Sequence, residues 1–217
     1  MQIAIVDLGI GNLRSVEQAL RTVASDAVVV VTDDADCIER ADKVVLPGQG
    51  AVDTWFAALR ARKLEAVVDK CLGEKPMLGI CVGMQALFGH CEEGGGMSGL
   101  GLFNGSVQHF SHFHEEAVKT VRLKIPQMGW NRVSQAQDHA LWHGIADHSY
   151  FYFVHSFCAN LDKDQSETCV YGHADYGHKF IAAIGGDNLF AVQFHPEKSH
   201  DDGLRLLKNF TQWNGKA

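Results

Sequence analysis

Residues 77–88 read MLGICVGMQALF, an apolar run, a cysteine held between Gly79 and Gly83, and then a stretch of helix formers. Two glycines around one reactive side chain fit a sharp strand-to-helix turn, the cysteine version of the G-x-S-x-G nucleophile elbow. Such a turn needs a strand that ends and a helix that starts at the same point. It therefore commits the surrounding chain to layered α/β architecture with parallel strands.

The rest of the first half agrees. Residues 2–8 are apolar and strand-like, and residues 12–23 carry Leu13, Val16, Leu20 and Val23 at helical spacing. Residues 27–31 and 43–46 predict further strands, 54–71 a helix, 77–80 the strand before the thiol, and 82–88 the helix after it. Gly94-Gly95-Gly96 marks a break. Beyond it the spacing predicts short strands over 106–110, 119–125, 150–154, 168–172, 180–184 and 189–194, with Gly185-Gly186-Asp187-Asn188 as a hairpin turn. Residues 201–213 predict a closing amphipathic helix with Leu204, Leu207 and Phe210 inward. The expected fold is a three-layer α/β domain over residues 1–217: a mostly parallel central sheet flanked by helices, with an antiparallel strand extension.

Composition narrows the function. A formal charge of −7 and no clustered Lys or Arg argue against a nucleic-acid surface. No basic leader and no long apolar run suggest a signal peptide or membrane helix. The six cysteines form no C-x-x-C pair, which fits a reducing cytoplasm. The twelve histidines show no zinc-ligand spacing, so neither metal nor cofactor is expected.

The chemistry concentrates in two strings. A helix N-terminus favours the thiolate of Cys81, and the amide of Val82 would face an incoming carbonyl oxygen as an oxyanion donor. Far downstream, QFHPEKS sets His195 and Glu197 on either side of Pro196. Proline biases the residue before it toward extended backbone, where residues two apart project to one side. The carboxylate would orient the imidazole, which would move protons for the thiol. In LPGQGAVD, Gly48, Gln49 and Gly50 follow a strand and could bring a second amide to the site. Gly9-Ile10-Gly11-Asn12 lacks the third glycine of a dinucleotide loop, since position 14 is Arg14. Asn12 is expected to cap the first helix. Trp130, in PQMGWN, looks like an exposed loop or interface residue.

These strings resemble the triad-type (class I) glutamine amidotransferases. The likeness runs from GIGNL through LPGQGA, LGICVGMQALF, PQMGWN and YFVHSF to QFHPEKS and GLRLLKNF. GMQ, MGWN and HPEKS are most similar to the branch that supplies the glutaminase subunits of imidazole glycerol phosphate synthase. The resemblance implies that Cys81 attacks the side-chain amide of glutamine, and that ammonia passes to a (β/α)8-barrel cyclase subunit in a heterodimer. It implies that Gly50, Gln85, Ser156 and Phe157 line the glutamine pocket, and that Gly48 and Gln49 form an oxyanion strand. It implies that Asn12, Trp130, Tyr152 and Lys198 face the cyclase. Relatives often carry Tyr where this chain has Phe157.

A chain without a second domain to consume ammonia is expected to work with a partner and to be nearly silent alone. Two other readings remain open at this stage. One is a paralogue feeding a sugar amidase-type partner in surface-polysaccharide synthesis. The other is a flavodoxin-like cysteine peptidase or redox chaperone, which shares the elbow but gives no reason for His-Pro-Glu.

Overall fold

The computed structural model describes residues 1–113, 123–162 and 165–216. Among these residues the frame is a 12-stranded sheet. Strands β1 (Gln2–Val6), β2 (Val28–Thr32), β3 (Lys43–Gly48), β4 (Met77–Cys81) and β14 (Leu189–Val192) lie in the order β2-β1-β3-β4-β14, all parallel. Every residue of β3, β4 and β14 is buried. That explains their unbroken apolar runs, because a central parallel strand is covered on both faces.

Past β14 the sheet turns antiparallel through β13 (Lys179–Gly186) and β11 (Phe157–Leu161) to β7 (Phe103–His109). The β13–β14 hairpin turns at 187–188, with Asn188 at φ +63°. Asparagine tolerates this left-handed conformation. A separate antiparallel pair joins β8 (Gln127–Arg132) to β10 (Tyr150–His155). Helices α1 (Leu13–Val23) and α6 (His200–Gln212) pack on each other, as do α2 (Ala35–Arg40) and α4 (Glu65–Glu74). The architecture is thus a mixed α/β fold, its sheet flanked by helices.

Several boundaries differ from the sequence reading. The helix expected over 54–71 is two helices, α3 (Val52–Ala61) and α4, separated by a turn in which Lys63 takes φ +58°. Neither Gly nor Pro announces that break. The helix expected over 82–88 is a single turn, α5 (Val82–Gln85), and Phe88–Cys91 instead forms strand β5 beside β7. Apolar runs this short suit either state, and pairing settles them. Helix α2 and strand β11 were not anticipated. PQMGWN, read as a loop, is strand β8, although Trp130 is indeed exposed. Of the strand expected over 119–125, residues 119–122 lie outside the described residues, and 123–125 are irregular.

Candidate active site

The elbow forms where the glycines predict it. Cys81 ends β4 at φ +55°, and Val82 opens α5. A cysteine in this conformation is strained, a cost that folds tolerate at functional sites. The tight approach of β3 shows why Gly83 is required: a Cβ there would lie 2.0 Å from the Leu46 carbonyl oxygen. Gly48 is opposite Cys81 in the β3–β4 register, and a Cβ on it would meet Val82 at 2.6 Å. Gly48 therefore packs behind the elbow, while Gln49 and Gly50 reach the front.

His195 arrives from the end of β14 with extended backbone (φ −103°, ψ 97°). Pro196–Lys198 then form a 3-10 turn rather than the extended segment expected. The turn still delivers the carboxylate: Glu197 Oε1 accepts from His195 Nδ1 at 2.8 Å. Both side chains are sealed, 2% and 1% exposed. With Nδ1 donating to Glu197, the ring presents Nε2 to the thiol. Nε2 is buried and makes no hydrogen bond of ordinary geometry. Burial disfavours charge on the ring, yet the nearby Cys81 sulfur and Glu197 outweigh it and push His195 well above the usual imidazole range. Ring and sulfur thus already act on each other, and such bonds commonly tighten only when substrate is bound. Burial pushes Cys91 up to about 11 and Cys158 up to about 12 and raises Cys71 as well, which disfavours the thiolate at all three.

A cavity of about 600 Å³ opens over this pair. Gln49, Gly50, Val82, Gln85, Ser156, Phe157 and Lys198 line it with Cys81 and His195, so most of the expected pocket residues meet there. Gln85 Nε2 donates to the Phe157 carbonyl at 3.2 Å and to Gln193 Oε1 at 3.0 Å. His155 also lines the cavity, and its Nδ1 donates to the same carbonyl at 2.7 Å. Burial above all, with the charge of His195, holds His155 down to about 4. The ring is therefore neutral and its Nε2 accepts; Gln127 Oε1 lies 2.9 Å away, so the Gln127 carboxamide is assigned the reversed orientation, with its nitrogen donating to the ring.

Two lining or bordering residues were not foreseen. Glu93 supplies the carboxylate of the cavity wall, its Oε2 accepting from the Val52 amide at 3.0 Å, and burial raises its carboxyl from the ordinary range. It hides in a Glu-Glu-Gly-Gly-Gly run that reads as a turn, and no sequence signal separates it from Glu92. Gln193 is fully buried, and its Nε2 donates to Cys81 Sγ at 3.7 Å. Its signal was a polar residue at the end of an otherwise apolar strand.

Of the residues expected to face a partner, Lys198 lines the cavity, and Asn12 lines a separate small pocket with Gly48, His195 and Glu197. Lys198 Nζ lies 5.8 Å from the centroid of the Tyr152 ring, which meets Trp130 edge-on. Trp130 also stacks on His200 at 4.9 Å. Asn12 occupies the N-cap position of α1 but does not cap it. Its side chain donates to Ser15 Oγ, and its backbone amide donates to Gln49 Oε1 at 3.1 Å. Among the described residues no group of three His, Cys, Asp or Glu is placed to hold a metal ion, and no helix is long and apolar enough to cross a membrane.

Residues 4–213 match the glutamine amidotransferase class-I family. The chain belongs to that family. The imidazole glycerol phosphate synthase subunit HisH of Pseudomonas syringae pv. syringae is 46% identical over 215 residues, covering 99% of this chain and 98% of the relative. That of Dechloromonas aromatica is 49% identical over 211 residues, covering 97% and 96%. A crystal structure described as a glutamine amidotransferase superposes with a TM-score of 0.67 at 17% identity, covering 96% of this chain and 98% of that one. At that identity the superposition speaks to the fold alone.

Proposed function

We propose that this chain is the glutaminase subunit of an imidazole glycerol phosphate synthase, with Cys81, His195 and Glu197 as its catalytic triad. The observation that carries the reading is a thiol and an imidazole lining one cavity, with the Glu197 carboxylate bonded to the imidazole outside that cavity. Relatives at 46–49% identity over nearly the whole chain support the assignment to histidine biosynthesis.

The chemistry follows from the geometry. Glutamine enters with its α-ammonium toward Glu93 and its side-chain amide toward Cys81. The thiolate forms a bond to the amide carbon, and the developing oxyanion is held by the Val82 amide and an amide of the Gly48–Gln49 segment. The C–N bond then breaks, and His195 Nε2 gives its proton to the departing nitrogen, releasing ammonia. Water adds to the glutamyl thioester with His195 as base, and glutamate leaves with the thiol restored. Glu197 holds the imidazole in one tautomer and steadies its charge throughout. Gly50, Gln85, Ser156 and Phe157 shape the pocket.

The partner is a (β/α)8-barrel cyclase. It uses the ammonia on a phosphoribulosyl formimino precursor to form imidazole glycerol phosphate and an aminoimidazole carboxamide ribotide. The docking face runs from Asn12 to Trp130, Tyr152 and Lys198. Its support is an exposed apolar surface on β8 and β10 that includes Met128, Trp130 and Tyr150 and pairs Val154, a cavity-lining residue, with Met128. The test is glutamate release by the purified chain, alone and with the cyclase subunit plus its precursor. Release that rises at least tenfold only in the full mixture is expected. Equal release in both mixtures would remove the coupling, and none in either would remove the glutaminase reading.

A further inference from the structure

Gln193 follows the last residue of β14, Val192, which pairs with Ile80 just before the nucleophile. Its backbone amide is tied to the Ala182 carbonyl at 2.9 Å, so the residue cannot slide. A fully buried carboxamide must find partners for both ends, since an unpaired one is costly. Gln193 finds one on each side: Oε1 accepts from Gln85 Nε2 at 3.0 Å, and Nε2 reaches Cys81 Sγ at 3.7 Å.

The direction of that amide is not arbitrary. The two ends of a carboxamide are alike in shape, and only the bonding network distinguishes them. Here the network is anchored by the Phe157 carbonyl, which can only accept. It takes one hydrogen bond from His155 and the other from Gln85, using both lone pairs. Gln85 must therefore turn its nitrogen toward both Phe157 and Gln193. Gln193 in turn must offer its oxygen to Gln85, and its N–H is left facing the sulfur. A donor facing sulfur favours the charged thiolate over the neutral thiol, because bonds to ionised groups are the stronger ones.

From this we infer that Gln193 is a positioning residue for the nucleophile: an amide oriented by Gln85 and the Phe157 carbonyl that holds the Cys81 sulfur and stabilises its thiolate form. The inference deepens the glutaminase reading and rests on Cys81 being the nucleophile. It also ties the pocket wall to the sulfur. Ser156 and Phe157 line the substrate cavity, so a shift of that wall is transmitted through two amides to the reacting atom.

The test reads the sulfur directly and needs no glutamine. Alkylation of Cys81 by iodoacetamide is followed by peptide mass spectrometry across a pH series, in wild type, Gln193→Met and Gln85→Met. Methionine keeps the length of the side chain and removes the amide. Gln193→Met is expected to move the midpoint of Cys81 reactivity up by about one pH unit, slowing alkylation about tenfold below it. Gln85→Met leaves Gln193 in place but frees its orientation, so a smaller shift of the same sign is expected. If Gln193→Met does not fold, as read by its thermal transition, the Gln85→Met profile decides alone. Unchanged midpoints in folded variants would overturn the inference while leaving the glutaminase reading intact. A wild-type Cys81 no more reactive than the other thiols would instead overturn the glutaminase reading itself.

Discussion

At the scale of single residues, the site joins groups whose roles are set by their surroundings. Glu197 is a sealed carboxyl and Glu93 a half-buried one, and of the two Glu197 touches the imidazole. Glu197→Gln keeps the shape but removes the charge that fixes the tautomer of His195. Glutamine-dependent turnover should fall by roughly 1,000-fold or more while thermal stability changes little, measured by steady-state kinetics of the complex. Glu93→Gln removes the cavity's counter-charge for an ammonium. KM for glutamine should rise about tenfold with kcat nearly unchanged, because the lost contact is the same in ground and transition states. Cys81, His195 and Glu197 were legible in the sequence, since each sits in a motif whose local geometry it shares. Glu93 and Gln193 were not, because they act through partners that are far away along the chain: Val52 for one, Cys81 and Gln85 for the other. Only folding brings those together.

At the scale of elements, the elbow depends on close backbone approach. Gly83→Ala would place a methyl group 2.0 Å from the Leu46 carbonyl oxygen, on a strand that is buried throughout. Backbone on both sides leaves no flexible atom to yield, so a loss of about 3 kcal/mol or more in denaturant unfolding is expected. Pattern alone gave the parallel half of the sheet, because strands buried on both faces read as continuous apolar runs. It misjudged the segments where tertiary pairing overrides local preference. The stretch Ala86-Leu87-Phe88 suits a helix, but β5 leaves the helical path to lie beside β7. The break between α3 and α4 falls at Lys63, a residue type with no turn preference, in left-handed backbone. The 3-10 turn after His195 likewise replaces an extended segment, yet it brings the same two groups together.

At the scale of the whole molecule, buried neutral histidines couple the fold to acidity. Burial holds His139 and His155 down to about 4 in the folded chain. In the unfolded chain each takes up its proton near the ordinary value of about 6.5. As pH falls through that window the unfolded state binds protons first, so stability is complete above it and declines on the way down to 4. Each ring contributes a slope of at most about 1.4 kcal/mol per pH unit. Denaturant unfolding at pH 7, 6 and 5 should show this decline. His139→Phe, which keeps an aromatic ring stacked on Phe190, should make the slope shallower by up to that amount. A slope that is the same in both proteins would show that His139 is not neutral when folded.

The account rests on a thiol and an imidazole, 114 residues apart in sequence, acting as one reactive unit in the assembled enzyme. The most direct measurement is covalent trapping of the complex by the glutamine analogue 6-diazo-5-oxo-norleucine, with the modified peptide identified by mass spectrometry. A single adduct on Cys81 in the wild type, reduced at least a hundredfold by His195→Ala, is the predicted result. An adduct on any other cysteine, or one on Cys81 that forms equally fast without His195, would contradict it.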